Sequence, residues 1–238
     1  MELLRGDGPV VRIGHRGAPV LAPENTLASL AAAADLGVDA VEIDVIARAD
    51  GSVALAHSRD ALARDDVPSL DDALAFAAQR GIGVQLDLKG TGHERAVAES
   101  VRRHGLLERS FASAASIPSL LALAEAEPSL RRAFTYPDDR YGLTGSRLIR
   151  PAVRPSLAGL RRILPARLPR WLREAGASAA TLNWTVVSGA AIRRCHALGV
   201  AVYVWTVDDP ALAERLSRLG ADGIITNDPR IFARSLQT

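Results

Sequence analysis

Seven side chains in the first ninety residues carry the groups from which a hydrolytic site for an anionic ester could be assembled. Gly14-His15-Arg16-Gly17 supplies an imidazole and a guanidinium, Glu42-Ile43-Asp44 two carboxylates, His57 a second imidazole, and Asp87-Leu88-Lys89 a carboxylate and an ammonium. Alternate residues of an extended strand share a face, so Glu42 points with Asp44 and Asp87 with Lys89. Burying so many charges is too costly unless they neutralise one another or bind an ion. Three carboxylates without a thiolate make a hard oxygen site, suited to Mg²⁺ or Ca²⁺ rather than zinc. Arg16 and Lys89 are natural partners of an anion, and phosphate matches both. Two histidines with ordinary pKa near ~6.5 can serve as acid and base at neutral pH. Any one pair of these groups reads as a salt bridge between strands; seven at neighbouring strand ends read as a site.

The elements that must position them alternate along the chain. Strands are predicted at Val10–Gly14, Ala40–Ile46, Gly83–Leu88, Ser110–Ser113, Arg131–Tyr136, Ala179–Leu182, Val200–Trp205 and Gly223–Thr226, several of them continuously apolar, as in a parallel sheet covered on both faces. Helical runs separate them, with readable ends: Asn25 or Thr26 caps one that Gly37 stops, and Ser69-Leu-Asp-Asp opens another as a capping box that Gly81 ends. Eight strands alternating with helices in 238 residues predict a single (β/α)8 TIM barrel over residues 1–238. Val53–Ala56 forms a small excursion after the second strand. The rival is an open doubly wound sheet, but its glycine-rich phosphate loops, GxGxxG and GxxxxGK[ST], are absent from the sequence. In a barrel, the site lies where the strands end.

Pro137–Ala175 breaks the rhythm with five prolines, nine arginines and three acids, a local charge of +6 in a chain whose net charge is +2. It is read as a basic insertion after the fifth strand, on the active face: a solvated loop with a short helix near Leu168–Glu174, or a segment that steers anionic substrate. The near-neutral total gives no global field for nucleic acid. One cysteine, Cys195, excludes a disulfide framework and reads as a small buried residue. No run reaches the ~20 apolar residues of a membrane helix, and the amino terminus has no cleavage pattern, so a cytoplasmic location is expected. Twenty-eight arginines stand against one lysine, Lys89, which marks that position for inspection.

The segments HRGAPVLAPENTLASL, VEIDV, HSRDALAR, VPSLDDAL, VQLDLKG, VWTVDD and GADGIITNDP, in this order from about Ile13 to Pro229, resemble the glycerophosphodiester phosphodiesterase family. The resemblance implies that His15 and His57 form the acid–base pair, that Glu42, Asp44 and Asp87 hold one divalent metal, Mg²⁺ or Ca²⁺, and that Arg16 and Lys89 grip the phosphate. It implies a supporting role for Glu24, which otherwise reads as an acid at a helix amino terminus, and a glycerol-pocket wall for Trp205, which otherwise reads as core. The implied reaction releases glycerol 3-phosphate and an alcohol, by attack of the substrate's own glycerol hydroxyl and hydrolysis of a cyclic phosphate. Two departures stand out. Asp87 replaces the family's usual Glu, and Ser58, not Asp, follows His57, leaving Asp60 to orient His57 or that support missing. Alternatives are a phospholipase-D-like hydrolase of lysophospholipids, with membrane-surface contact, and a non-catalytic phosphodiester binder.

Overall fold

The computed structural model describes residues 2–64, 66–138 and 150–236. Nine strands form one sheet: β1 (Val11–His15), β2 (Ala40–Ala47), β3 (Val53–Leu55), β4 (Gly83–Leu88), β5 (Ser110–Ala114), β6 (Arg131–Tyr136), β7 (Ala179–Asn183), β8 (Ala201–Trp205) and β9 (Gly223–Thr226). All but β3 are parallel to their neighbours, and β1 pairs with both β2 and β9, so the sheet closes into an eight-stranded barrel. Closure excludes the open doubly wound alternative. β3 is the excursion, antiparallel to the end of β2; it carries the chain up to His57.

Seven helices, α1 (Leu27–Asp35), α2 (Leu70–Arg80), α3 (Glu94–Arg103), α4 (Ile117–Ala126), α5 (Arg150–Ala175), α6 (Gly189–His196) and α7 (Pro210–Leu219), surround the barrel among the described residues. Thr26, not Asn25, caps α1, its hydroxyl accepting from Ser29 N. Ser69 and Asp72 form the expected capping box, and Gly81 closes α2 in the left-handed region at φ 68°. None of these helices is long and apolar enough to cross a membrane.

α5 corrects the reading of Pro137–Ala175 as a loop with one short helix. From Arg150 onward the segment is a continuous 26-residue helix, the barrel's own connection between β6 and β7; residues 139–149 lie outside the described residues. Leu164, Leu168, Leu172 and Ala175 are buried against the main core, with Leu160 packed beside them. That four-residue spacing builds one apolar stripe, and its packing outweighs the hydrogen bonds that Pro165 and Pro169 cannot donate. Arg161, Arg162, Arg167, Arg170 and Arg173 fall on the exposed face.

Inside the barrel, the lower layer is apolar. Leu3, Ile13, Ala40, Phe111, Ala133, Ala179, Ala201, Tyr203 and Ile225 form a buried cluster separate from the one between strands and helices. Four alanines leave room for two rings, Phe111 and Tyr203, whose centroids stand 5.1 Å apart. A Cβ at Gly223 would overlap the Tyr203 ring, so β9 approaches it closely there. Leu3 plugs the bottom, where its carbonyl accepts from Tyr203 OH at 3.0 Å, and Arg5 fastens the plug through Asp222 and the Ser217 carbonyl.

Candidate active site

The parallel register sets the charged residues side by side at the top of the barrel: His15 opposite Glu42, and Asp44 opposite Asp87. Directly after His15 the chain turns back on itself. Arg16 (φ 54°) and Asn25 (φ 57°) both adopt the left-handed region, uncommon outside glycine. Arg16 N donates to Glu42 Oε2 at 2.9 Å, and the Arg16 carbonyl accepts from Asn25 N and Ser29 Oγ. A Cβ on Gly17 would fall 2.5 Å from the Ser29 backbone, so only glycine lets the loop lie against α1 this closely.

Asp44, fully buried, is the hub. Arg16 Nε stands 2.9 Å from its Oδ2, Lys89 Nζ 2.9 Å from its Oδ1, and His57 Nδ1 3.3 Å from Oδ2. Asn25 clamps it from behind, donating Nδ2 to Oδ2 at 2.9 Å and accepting from Asp44 N at 3.1 Å. Burial opposes its charge, but Lys89, His57 and Arg16 outweigh it and hold the carboxyl well below the usual range. Glu42 goes the other way: burial, then the charges of Asp44 and Asp87, push it well above its ordinary value. Arg16 Nη1 donates to Glu24 at 2.7 Å, so Glu24 orients the guanidinium.

The two imidazoles have different neighbours. Asn227 Nδ2 and N both donate to Asp208, at 2.8 Å each, which turns the Asn227 amide oxygen toward His15 Nδ1, 2.7 Å away. His15 therefore donates from Nδ1, leaving a lone pair on Nε2. Burial, then the charge of Arg16, lowers the His15 pKa to about 4, which keeps the ring neutral. Arg16 Nη2 is 3.0 Å from His57 Nδ1. The same Nδ1 is 3.3 Å from Asp44 Oδ2, so it can accept from the guanidinium, with the proton on Nε2, or donate to the carboxylate.

Glu42, Asp44 and Asp87 each offer an oxygen within 4.8 Å of the others'. Buried, all-oxygen and carrying enough negative charge to raise the Glu42 pKa, this donor set fits one hard divalent cation. A cavity of about 870 Å³ opens above it, lined by His15, Arg16, Glu24, Glu42, His57, Asp87, Lys89 and Trp205. Trp205 is half-buried, and its indole N–H is buried with no hydrogen-bond partner among the described residues.

The family model of the glycerophosphoryl diester phosphodiesterase family matches residues 15–73 and 84–231. The chain belongs to this family. A glycerophosphodiester phosphodiesterase of Caldanaerobacter subterraneus subsp. tengcongensis is 23% identical, with 91% of this chain and 93% of the relative covered. Among solved structures, a putative glycerophosphoryl diester phosphodiesterase from Silicibacter pomeroyi DSS-3 superposes with a TM-score of 0.78 at 23% identity, covering 98% of this chain and 95% of the other. A phosphodiesterase from Oleispira antarctica, solved with the product sn-glycerol-3-phosphate, gives 0.76 at 20% identity, covering 97% and 98%.

Within this glycerophosphoryl diester phosphodiesterase fold, the nine residues singled out in the sequence meet at one mouth: His15, Arg16, Glu24, Glu42, Asp44, His57, Asp87, Lys89 and Trp205. Four residues of the same network escaped sequence reasoning. Asn25 was read only as a capping candidate, and Asn227, Asp208 and Ser113 were not singled out. Ser113 donates to Asp87 Oδ1 at 2.6 Å, and so fixes that carboxylate. Asp60 is exposed in a 3-10 turn, while His57 is held by Arg16 and Asp44.

Proposed function

We propose that this phosphodiesterase hydrolyses glycerophosphodiesters to glycerol 3-phosphate and an alcohol, using His15 as general base and His57 as general acid over a divalent cation held by Glu42, Asp44 and Asp87. One observation carries the reading: two imidazoles line one cavity beside the same carboxylate cluster, and the hydrogen bond between His15 Nδ1 and Asn227 leaves the His15 Nε2 lone pair free to take a proton. Arg16 and Lys89 bind the phosphate oxygens and orient the ester. His15 Nε2 takes the proton from the attacking glycerol hydroxyl as the P–O bond forms, and His57 Nε2–H protonates the departing alkoxide. The protonated His15 is steadied through Nδ1 by Asn227. For hydrolysis of the cyclic phosphate the roles reverse: His57, now deprotonated, activates water and His15 returns its proton. Bound Mg²⁺ or Ca²⁺ supplies electrostatic stabilisation of the charge growing on the phosphoryl oxygens. Trp205 walls the glycerol end.

The test is a coupled assay for glycerol 3-phosphate with soluble glycerophosphocholine, glycerophosphoethanolamine and glycerophosphoglycerol, each with Mg²⁺, Ca²⁺ or chelator. Release from at least one diester, lost with chelator and regained with metal, is expected. Binding of the diesters without hydrolysis under any metal would overturn it in favour of a phosphodiester-binding protein.

A further inference from the structure

Lys89 is the one lysine of the chain against twenty-eight arginines, and its ammonium sits inside the carboxylate cluster rather than at its rim. Nζ lies 2.9 Å from Asp44 Oδ1 and in contact with Asp87 Oδ2. These are two of the three carboxylates that fit a cation. Their other oxygens are already engaged. Asp44 Oδ2 faces Arg16 Nε and accepts from Asn25, and Asp87 Oδ1 accepts from Ser113. What the pair still offers is Asp44 Oδ1 and Asp87 Oδ2, and both touch the ammonium. A hard cation binds carboxylate oxygen at roughly 2.0–2.6 Å. Seated on either oxygen, it would stand within about 5.5 Å of Nζ, in a buried site where like charges repel strongly.

We infer that Lys89 is the built-in counter-ion of this cluster, and that a divalent cation binds by displacing its ammonium from Asp44 and Asp87 into the cavity, where it meets the substrate phosphate. The inference rests on the metal-dependent reading above. A lysine suits the exchange: a point charge on a flexible four-carbon stem can leave one partner for another, where a guanidinium fork holds its geometry. Arg16 shows the contrast, tied at once to Asp44, Glu24 and His57. The Lys89 side chain is 26% exposed while Asp44 is 1% exposed, and Lys89, Gly90 and Thr91 line the cavity, so a way out exists. A lysine amine is ammonium at neutral pH, so the group leaves charged and needs an anion at its destination. Metal and phosphate should accordingly favour each other's binding, and by reciprocity to the same degree.

A single lysine makes the movement readable in the wild-type protein. Acetylation of Lys89 by acetic anhydride, followed by peptide mapping to separate it from the α-amino group, is expected to be slow without metal and faster with Mg²⁺ or Ca²⁺. Free Mn²⁺ is then measured by electron paramagnetic resonance against wild type, Lys89→Met and Lys89→Gln, with Lys89→Gln keeping a neutral donor between the carboxylates should Lys89→Met not fold. Both variants should bind Mn²⁺ about tenfold more tightly than wild type, a typical coupling between linked sites. Glycerol 3-phosphate should tighten Mn²⁺ binding to wild type and have little effect on the variants. Mn²⁺ affinity in the variants equal to or weaker than wild type, or acetylation indifferent to metal, overturns the displacement and leaves the metal-dependent reading standing. Failure of all three proteins to bind Mn²⁺ overturns both.

Discussion

Two layers of side chains fill the same barrel two residues apart, and they have little chemistry in common. Along β1, Ile13 lies below His15; along β2, Ala40 lies below Glu42; along β5, Phe111 lies below Ser113; along β8, Tyr203 lies below Trp205. The lower member of each pair belongs to the dry cluster plugged by Leu3, and the upper belongs to the cavity or its hydrogen-bond network. Backbone hydrogen bonding and side-chain direction are the same in both layers, because the strand period is two. A step of one period therefore carries the chain from residues that fix the barrel to residues that the proposed reaction uses. The lower layer contributes packing energy; the upper layer carries buried charge that costs stability.

The comparison breaks most sharply at the histidines. His15→Ala and His57→Ala should each lower turnover about 10²- to 10⁴-fold, the usual contribution of a positioned acid or base, while thermal melting stays near wild type. A large fall in melting temperature would make the upper layer structural, and the separation of roles would fail. The converse holds for the lower layer. Phe111 is fully buried against Tyr203, so Phe111→Ala should cost about 3–5 kcal/mol of stability by urea unfolding. The kcat of the molecules that remain folded should hardly change. A collapse in kcat without loss of stability would show that the lower layer positions the site more delicately than packing alone implies.

Much of this arrangement was legible in the sequence because the physics that makes it is local. Short strand-like runs separated by capped helices predict β2, β4 and β8 within a residue or two of where they stand. Alternation alone put Glu42 with Asp44 and Asp87 with Lys89 on shared faces. α5 was misread because proline and arginine are local signals, whereas the stripe from Leu160 to Leu172 has meaning only against a core supplied by other elements. The amides were hidden for a related reason. Asn25 sits beside a good cap residue, and its clamp on Asp44 exists only because the left-handed turn at Arg16 brings the two together. Asn227 and Asp208 carry no periodicity and are nineteen positions apart; nothing but the closure of β9 on β1 brings them to His15.

Asn227 gives the finest test of the two-layer view, since it adds no charge and its hydrogen bonds go to His15 and Asp208. If its work is to fix which nitrogen of His15 holds the proton, Asn227→Ala should lower kcat roughly 10- to 100-fold, the scale for a residue that orients a reactive ligand. KM should stay nearly constant, because the interaction lost belongs to the transition state. Asn227→Asp keeps an acceptor for His15 but sets one carboxylate against Asp208, so it should be poorer than its conservative look suggests. Adding Asp208→Asn restores a donor between the two positions and should recover much of the rate. Recovery would tie the effect to the direction of the hydrogen bond; its absence, with both variants folded, would mean that Asn227 only fills space above Ile225.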